Sequence, residues 1–323
     1  MATWTGAWFY VAGQVRTAVE AYIKEDIPGW NINYRTLQID GFPFRIKIDV
    51  QMPRLVLSGE RGTVRWETNQ ISAMRQFWQP RHVLVDLTGQ HRITFNRAGQ
   101  THHFLHDNDL AISSIETDEG GRLRLLSLDL TSPELKFDSK ATAQGKRLQI
   151  RAGRNPDSVR NVDLALRGDQ ITFSETFLNR NLNVQWRDIR LLDLNTTVTG
   201  LPADMATAML VSQWRDGGGT VEVRQLRLQW GEVDITAKGS LALDERMRLI
   251  GALTAQIKGY EKLIDLAVAT GDLRDDSIVG TRAVLGLLAA ASGGILSVPV
   301  RLQDGQLFLG PAVIAKLQPL PLD

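Results

Sequence analysis

Gly41-Phe42-Pro43-Phe44-Arg45-Ile46-Lys47-Ile48-Asp49-Val50 alternates apolar and polar side chains. In an extended chain, successive side chains point to opposite faces. Phe42, Phe44, Ile46, Ile48 and Val50 therefore share one face, and Arg45, Lys47 and Asp49 the other. Pro43 has no N–H to give to a ladder, which places it at an edge, a bulge or a strand start. The same alternation recurs to the C-terminus and sets the fold class.

Upstream, Trp30, Ile32 and Tyr34 alternate, and Leu37 and Ile39 change phase before the Gly41 corner. Downstream, short alternating runs follow at Leu55/Leu57, Val64/Trp66, Val83/Val85/Leu87 and Ile93/Phe95. Residues 69–78 read as a short helix or an irregular arm closed by Pro80. Further strands are expected at 109–117, 122–130, 134–139, 146–152, 161–167, 170–175 and 182–199. Glycines between them mark turns, which suggests an antiparallel meander. The clearest hairpin runs Val233, Ile235, Ala237, Gly239, Leu241, Leu243, turns at Asp244-Glu245-Arg246, and returns through Leu249, Gly251, Leu253, Ala255 and Ile257. The small Ala237, Gly239 and Gly251 leave room on its apolar face, for a helix or for something else. A last hairpin turns at Asp304-Gly305, a type I′ signal.

Helical spacing occurs in four places. Trp8, Val11, Val15, Ala18, Val19 and Tyr22 form one stripe, stopped by Pro28-Gly29. Either this helix rests on the sheet, or its aromatic start sits at the edge of a bilayer. The other helices are expected near 202–214, 258–270 and 279–291. The last is apolar nearly all round and is expected to be buried. The organisation read from these patterns is an amphipathic N-terminal helix over 1–28, then a single, strongly curved β domain over 29–323 with the other helices inserted.

Composition narrows the function classes. The 323 residues carry 37 basic and 36 acidic side chains, a net charge of +1. That balance argues against nucleic acid as the main partner, since binding it needs a concentrated basic face. No cysteine is present, which removes thiolate catalysis, Cys-ligated zinc and disulfides. No stretch reaches the roughly 18 uninterrupted apolar residues of a membrane span. No G-x-S-x-G elbow, Walker A loop or zinc signature is present. His102, His103 and His106 cluster with Asp107 and Asp109, and in an extended chain His102 and His106 share a face. A solvated loop accounts for them more simply than a metal. No catalytic residue, metal or cofactor is assigned.

Three stretches resemble a known family: Tyr34 to Arg45 around Gly41-Phe42-Pro43-Phe44-Arg45, Leu226 to Asp244, and Val298 to Pro311. They are similar to a bacterial family of unknown function grouped with the AsmA-like envelope proteins. The resemblance implies a periplasmic body anchored in the inner membrane by an upstream helix. It further implies a long curved sheet with an oily concave face and a part in phospholipid movement. The expectation is a non-catalytic lipid-binding or lipid-transfer module that holds a phospholipid or other acyl chain in an apolar β-groove. The groove would be lined by Phe42, Phe44, Ile46, Ile48, Val233, Ile235, Leu241 and Leu253. The alternative is a structural or adaptor protein of the envelope, with the 283–291 helix filling the groove.

Overall fold

The computed structural model describes residues 2–25, 27–59, 62–97, 99–175, 186–202, 210–273 and 275–320. The protein is mainly antiparallel β, with an N-terminal helix and helices toward the C-terminus. Where one domain was expected from residue 29 onward, the chain divides into two compact units, Met1–Leu148 and Gln149–Asp323. The division falls inside a strand, so no Pro- or Gly-rich linker announces it.

The first unit contains α1 (Ala2–Lys24), β1 (Trp30–Asn33), β2 (Thr36–Asp40), β3 (Arg45–Gln51), β4 (Arg54–Gly59), β5 (Gly62–Thr68), β6 (Gln70–Gln76), β7 (His82–Asp86), β8 (His91–Arg97), β9 (Gln100–Asp107), β10 (Leu110–Thr117), β11 (Leu123–Thr131), β12 (Glu134–Phe137) and β13 (Lys140–Gln144). It is not the meander expected. One arm runs β1-β4-β5-β8-β9-β12-β13, the other β2-β3-β6-β7-β10-β11. The chain makes a hairpin in one arm and crosses a short corner into the other. The corners are hydrogen-bonded to one another in a line: Arg35 N–H to Gln51 O, Met52 N–H to Asn69 O, Leu87 N–H to Ala111 O and Asp109 N–H to Thr131 O. Met52 and Ser132 turn their corners at φ 49 and 51.

Cross-strand register puts Leu55, Leu57, Trp66, Ile93 and Phe104 on one face of the first arm. It puts Leu37, Ile39, Ile48, Val50, Ile71 and Val85 on one face of the second. His91, on the apolar face of the first arm, bonds across the corner to Leu87 O, 2.6 Å away. The apolar faces therefore lie inside the fold of the sheet. Burial agrees, since Ala111 beside a corner is fully buried while Val64 and Leu126 near the hairpin tips are 39% and 37% exposed.

Residues 41–44 are the β2–β3 turn and contain a cis Phe42–Pro43 bond. The strand begins at Arg45, so Phe42 and Phe44 are not on its face as expected. Ile46 and Ile48 are, but α1 covers them: Trp8, Ala12 and Ile46 form a small core with Val11, Val15, Ile39, Ile48 and Phe77 around it. The helix also caps the open edge, with Trp8 Nε1 donating to Arg45 O and Arg16 Nη1 to Leu37 O. Residues 69–78 are neither helix nor irregular arm but β6 and its turn, paired with β3 through Ile48↔Ala73 and Val50↔Ile71.

From β14 (Arg147–Arg154), which crosses the division, the chain enters the second unit. Here a true meander runs through β15 (Val162–Phe173), β16 (Asp188–Val198), β17 (Val221–Trp230), β18 (Val233–Leu243), β19 (Leu249–Lys258), β20 (Leu296–Gln303), β21 (Gln306–Leu309) and β22 (Ala312–Lys316). The expected strands 161–167 and 170–175 are one strand. Gln170, at φ 51, skips a pairing between Asp169 and Ile171. Among the described residues the inserted helices are α2 (Leu210–Asp216), α3 (Tyr260–Ala269) and α4 (Asp275–Ala290). The expected helix start at 202 and strand start at 182 fall partly on 203–209 and 182–185, outside the described residues.

Candidate functional site

The apolar face of the second unit's sheet is divided by a row of irregularities. Gly239 and Gly251 sit on adjacent strands at φ 152 and 141. A Cβ on either would lie 2.2 Å from a backbone oxygen of the neighbouring strand, Ala252 O or Ser240 O. Their smallness therefore serves the backbone rather than making room above the sheet. At the same level β17 has a bulge between Val223 and Leu226, and β16 one between Asn195 and Thr196. Bulges and strand glycines bend a sheet.

On one side of this row the face is filled. Val233, Ala237, Ala255, Ile257, Leu296 and Val298 meet Tyr260 and Ile264 of α3 and Leu285 and Ala289 of α4. Ile235 and Leu253 lie against the same core. The expectation that α4 is buried all round does not hold. Leu285 is fully buried, but Leu287 and Val279 are 76% and 78% exposed. One stripe of α4 contacts the sheet, and the rest has no cover from the described residues.

On the other side of the row the described residues cover the face less completely: Trp214, Leu243 and Met247 form a small buried cluster, with Val198, Val211, Val221 and Leu249 packed against it. A pocket of about 380 Å³ lies between Val198, Val221, Leu241, Ala242, Leu243 and Leu249 of the sheet and Val211 and Trp214 of α2, with Leu201 and Leu320 completing the wall. Every lining residue is apolar. The walls are held by polar contacts outside the cavity. Trp214 Nε1 donates to Thr199 O at 2.7 Å, Arg215 Nη1 to Glu245 O at 3.3 Å, and Leu320 N–H to Met247 O at 2.9 Å. The β18–β19 turn is fixed by Asp244. Burial pushes the Asp244 carboxyl up, but hydrogen bonds from the Arg248 side chain and from the backbone of Arg248 and Arg246 outweigh it. They hold the group below the ordinary carboxylate range.

Of the eight groove residues expected from the sequence, Leu241 alone lines this pocket. Val233, Ile235 and Leu253 belong to the filled side, Ile46 and Ile48 lie under α1, and Phe42 and Phe44 are in a turn. The pocket residues Val198, Val221 and Trp214 were missed. Val198 falls in the strand expected at 182–199 and Trp214 in the helix expected near 202–214, but neither pattern separates a filled stretch of sheet from one that leaves a pocket.

The first unit offers a second apolar surface, the angle between its arms. Beyond the α1 end, among the described residues, no buried apolar cluster fills it. A ladder of rings lines one side: Trp66 stacks on His91, His91 on His106, and His102 on Phe137. The histidines do not converge. His102 bonds Asp138 and His103 bonds Thr94 on the opposite face, while His106 Nε2 is buried with no hydrogen-bond partner. Among the described residues no group of three or more His, Asp or Glu is placed to hold a metal ion. The tryptophan N–H groups find backbone acceptors at Trp4, Trp8, Trp214 and Trp230, and of these four indoles only Trp214 lines the pocket.

Among the described residues, no helix is long and apolar enough to cross a membrane. No curated protein matches the chain. A family model described as an uncharacterised protein conserved in bacteria, DUF2125, matches residues 8–318, from the first turns of α1 to beyond β22. That match takes in the folded arms, the bent meander and every pocket residue but Leu320, and the chain belongs to the DUF2125 family.

Proposed function

We propose that the protein is a non-catalytic envelope module that binds acyl chains, with the pocket beneath α2 as its site. The carrying observation is a cavity of about 380 Å³ lined only by apolar side chains, within the range of about 300–1,000 Å³ typical of small-molecule sites. Such a site has no donor or acceptor with which to select a polar ligand, so what it rewards is hydrocarbon area. Each buried methylene contributes about 0.8 kcal/mol. Ten of them would contribute on the order of 8 kcal/mol before the cost of ordering the chain. The grouping with AsmA-like proteins, a periplasmic location at the inner membrane and phospholipid as the ligand are parts of the same proposal.

Labelled fatty acid and labelled phospholipid, titrated against the purified protein, test it. Wild type should take up label with saturation. Leu241→Trp, which fills the cavity opposite Gly251, should lose uptake while its circular dichroism and urea midpoint stay close to wild type. No uptake by wild type, or full uptake by Leu241→Trp, would overturn the proposal.

A structural or adaptor role is the second reading, favoured by the filled side of the same sheet. There the protein's own α3 and α4 occupy the apolar face. Under that reading Leu241→Trp changes nothing, while deletion of 275–294 unfolds the unit and removes all function with it.

A further inference from the structure

The β6–β7 turn and the β10–β11 turn of the first unit wall a cavity of about 640 Å³. The backbone ties the two turns together, with Thr117 N–H donating to Arg81 O at 2.9 Å. Phe77, just after β6, packs against the small core under α1. Trp78 beside it lines the cavity and is 61% exposed. The indoles of Trp4, Trp8, Trp214 and Trp230 each give their N–H to a backbone carbonyl. Among the described residues, Trp78 gives its N–H to none. It therefore offers the cavity a flat apolar face with an unspent donor at its edge.

The rest of the wall is polar, and its charges are matched. Arg81 pairs with Glu119 at 3.0 Å, and Arg124 pairs with Glu116. His82 Nε2 lies 2.7 Å from Ser114 Oγ. Asp118 holds the β10–β11 turn, accepting the backbone N–H of Gly120 and of Arg122, both at 2.9 Å. A small ion entering here would meet its own charge as closely as the opposite one. The pairs still keep hydrogen-bonding capacity, because a guanidinium has more N–H groups and a carboxylate more lone pairs than one ion pair uses.

We infer that this cavity binds an uncharged sugar chain of β-linked, glucose-type pyranoses. Such a ring carries hydroxyls around its rim, each donor and acceptor at once, and C–H groups on its two faces. One C–H face lies on the Trp78 indole, whose ring face is electron-rich. The rim hydroxyls bond the matched side chains. The volume lies within the range of about 300–1,000 Å³ typical of small-molecule sites. A hydrocarbon ligand would strip water from this polar wall without replacing its hydrogen bonds. The inference uses no residue of the acyl-chain pocket and stands apart from it.

Isothermal titration calorimetry and tryptophan fluorescence with chitotetraose and cellotetraose test it. Wild type should bind at least one of these sugars, with little change in high salt, because a neutral ligand gains nothing from unscreened charge. Trp78→Ala should weaken binding roughly tenfold or more, with an unchanged urea midpoint because the side chain is exposed. Trp78→Phe should keep most of the affinity. Arg81→Ala combined with Glu119→Ala removes one matched pair at constant net charge and should weaken binding severalfold. Leu241→Trp should bind sugar like wild type, which separates this result from the fate of the acyl-chain pocket. Three outcomes would overturn the inference: no binding of either sugar by wild type, equal affinity of Trp78→Ala and wild type, or binding that disappears in high salt.

Discussion

Gly239 and Gly251 carry a bend that no other residue can carry at the same positions. Their φ values of 152 and 141 lie where a side chain is strained, and the space for a Cβ is already taken by carbonyl oxygens. Gly251→Ala is expected to cost about 1–3 kcal/mol, read as a lowered urea midpoint. An unchanged midpoint would show that the bend does not depend on the glycine. His106 makes a different prediction. Burial, with the charge of nearby His91, holds its imidazole below the usual 6.5, and Asp107 acts the other way. The folded state then binds fewer protons than the unfolded chain between the two pKa values. Stability should be complete above about pH 6.5, fall as the pH drops below it, and level off beneath the folded-state pKa. His106→Leu should flatten this slope in urea midpoints measured from pH 7.5 to 5. An unaltered slope would assign the effect to other groups.

Elements were legible in proportion to the strength of their alternation. The β18–β19 hairpin and the Asp304-Gly305 turn, with both residues at positive φ (53 and 74), follow directly from pattern and turn chemistry. The β6 strand was missed because small or polar Ser72 and Ala73 and the outward Met74 weaken its period. It is a strand because β3 and β7 pair with it on both sides. β12 was expected, but the turn after it and β13 beyond were missed because Asp138-Ser139 takes positive φ without a glycine. Phe42 and Phe44 misled because alternation continued through a turn. The open pocket was illegible for a different reason, since alternation shows which face is apolar but not what covers it. For α4, covered on one stripe only, Leu285→Ala should cost about 2–5 kcal/mol. Leu287→Ala, at an exposed position, should stay within about 0.5 kcal/mol of wild type. Equal effects in urea unfolding would mean that the exposed stripe also has a partner.

At the scale of the whole chain, the two units solve one problem in two ways. The second bends long strands at glycines and bulges and fills one side with helices. The first folds its sheet at corners and, among the described residues, leaves most of its inner angle without a buried apolar cluster beyond α1. Stability follows buried apolar contact, so amides of β8 and β9 are expected to exchange faster than those of β18 to β20 by hydrogen–deuterium exchange mass spectrometry. Matching protection would mean that the first unit has cover not provided by its own residues. The line of corners has one more consequence. Each crossing resets which side chains face inward, so a single residue gained within a strand would turn oil outward up to the next crossing. Residues gained in pairs at a hairpin tip leave every crossing untouched and only lengthen the two walls. The architecture can thus vary its depth in steps of two residues per strand, and its length in whole hairpins, while the hinge line between the walls stays as it is.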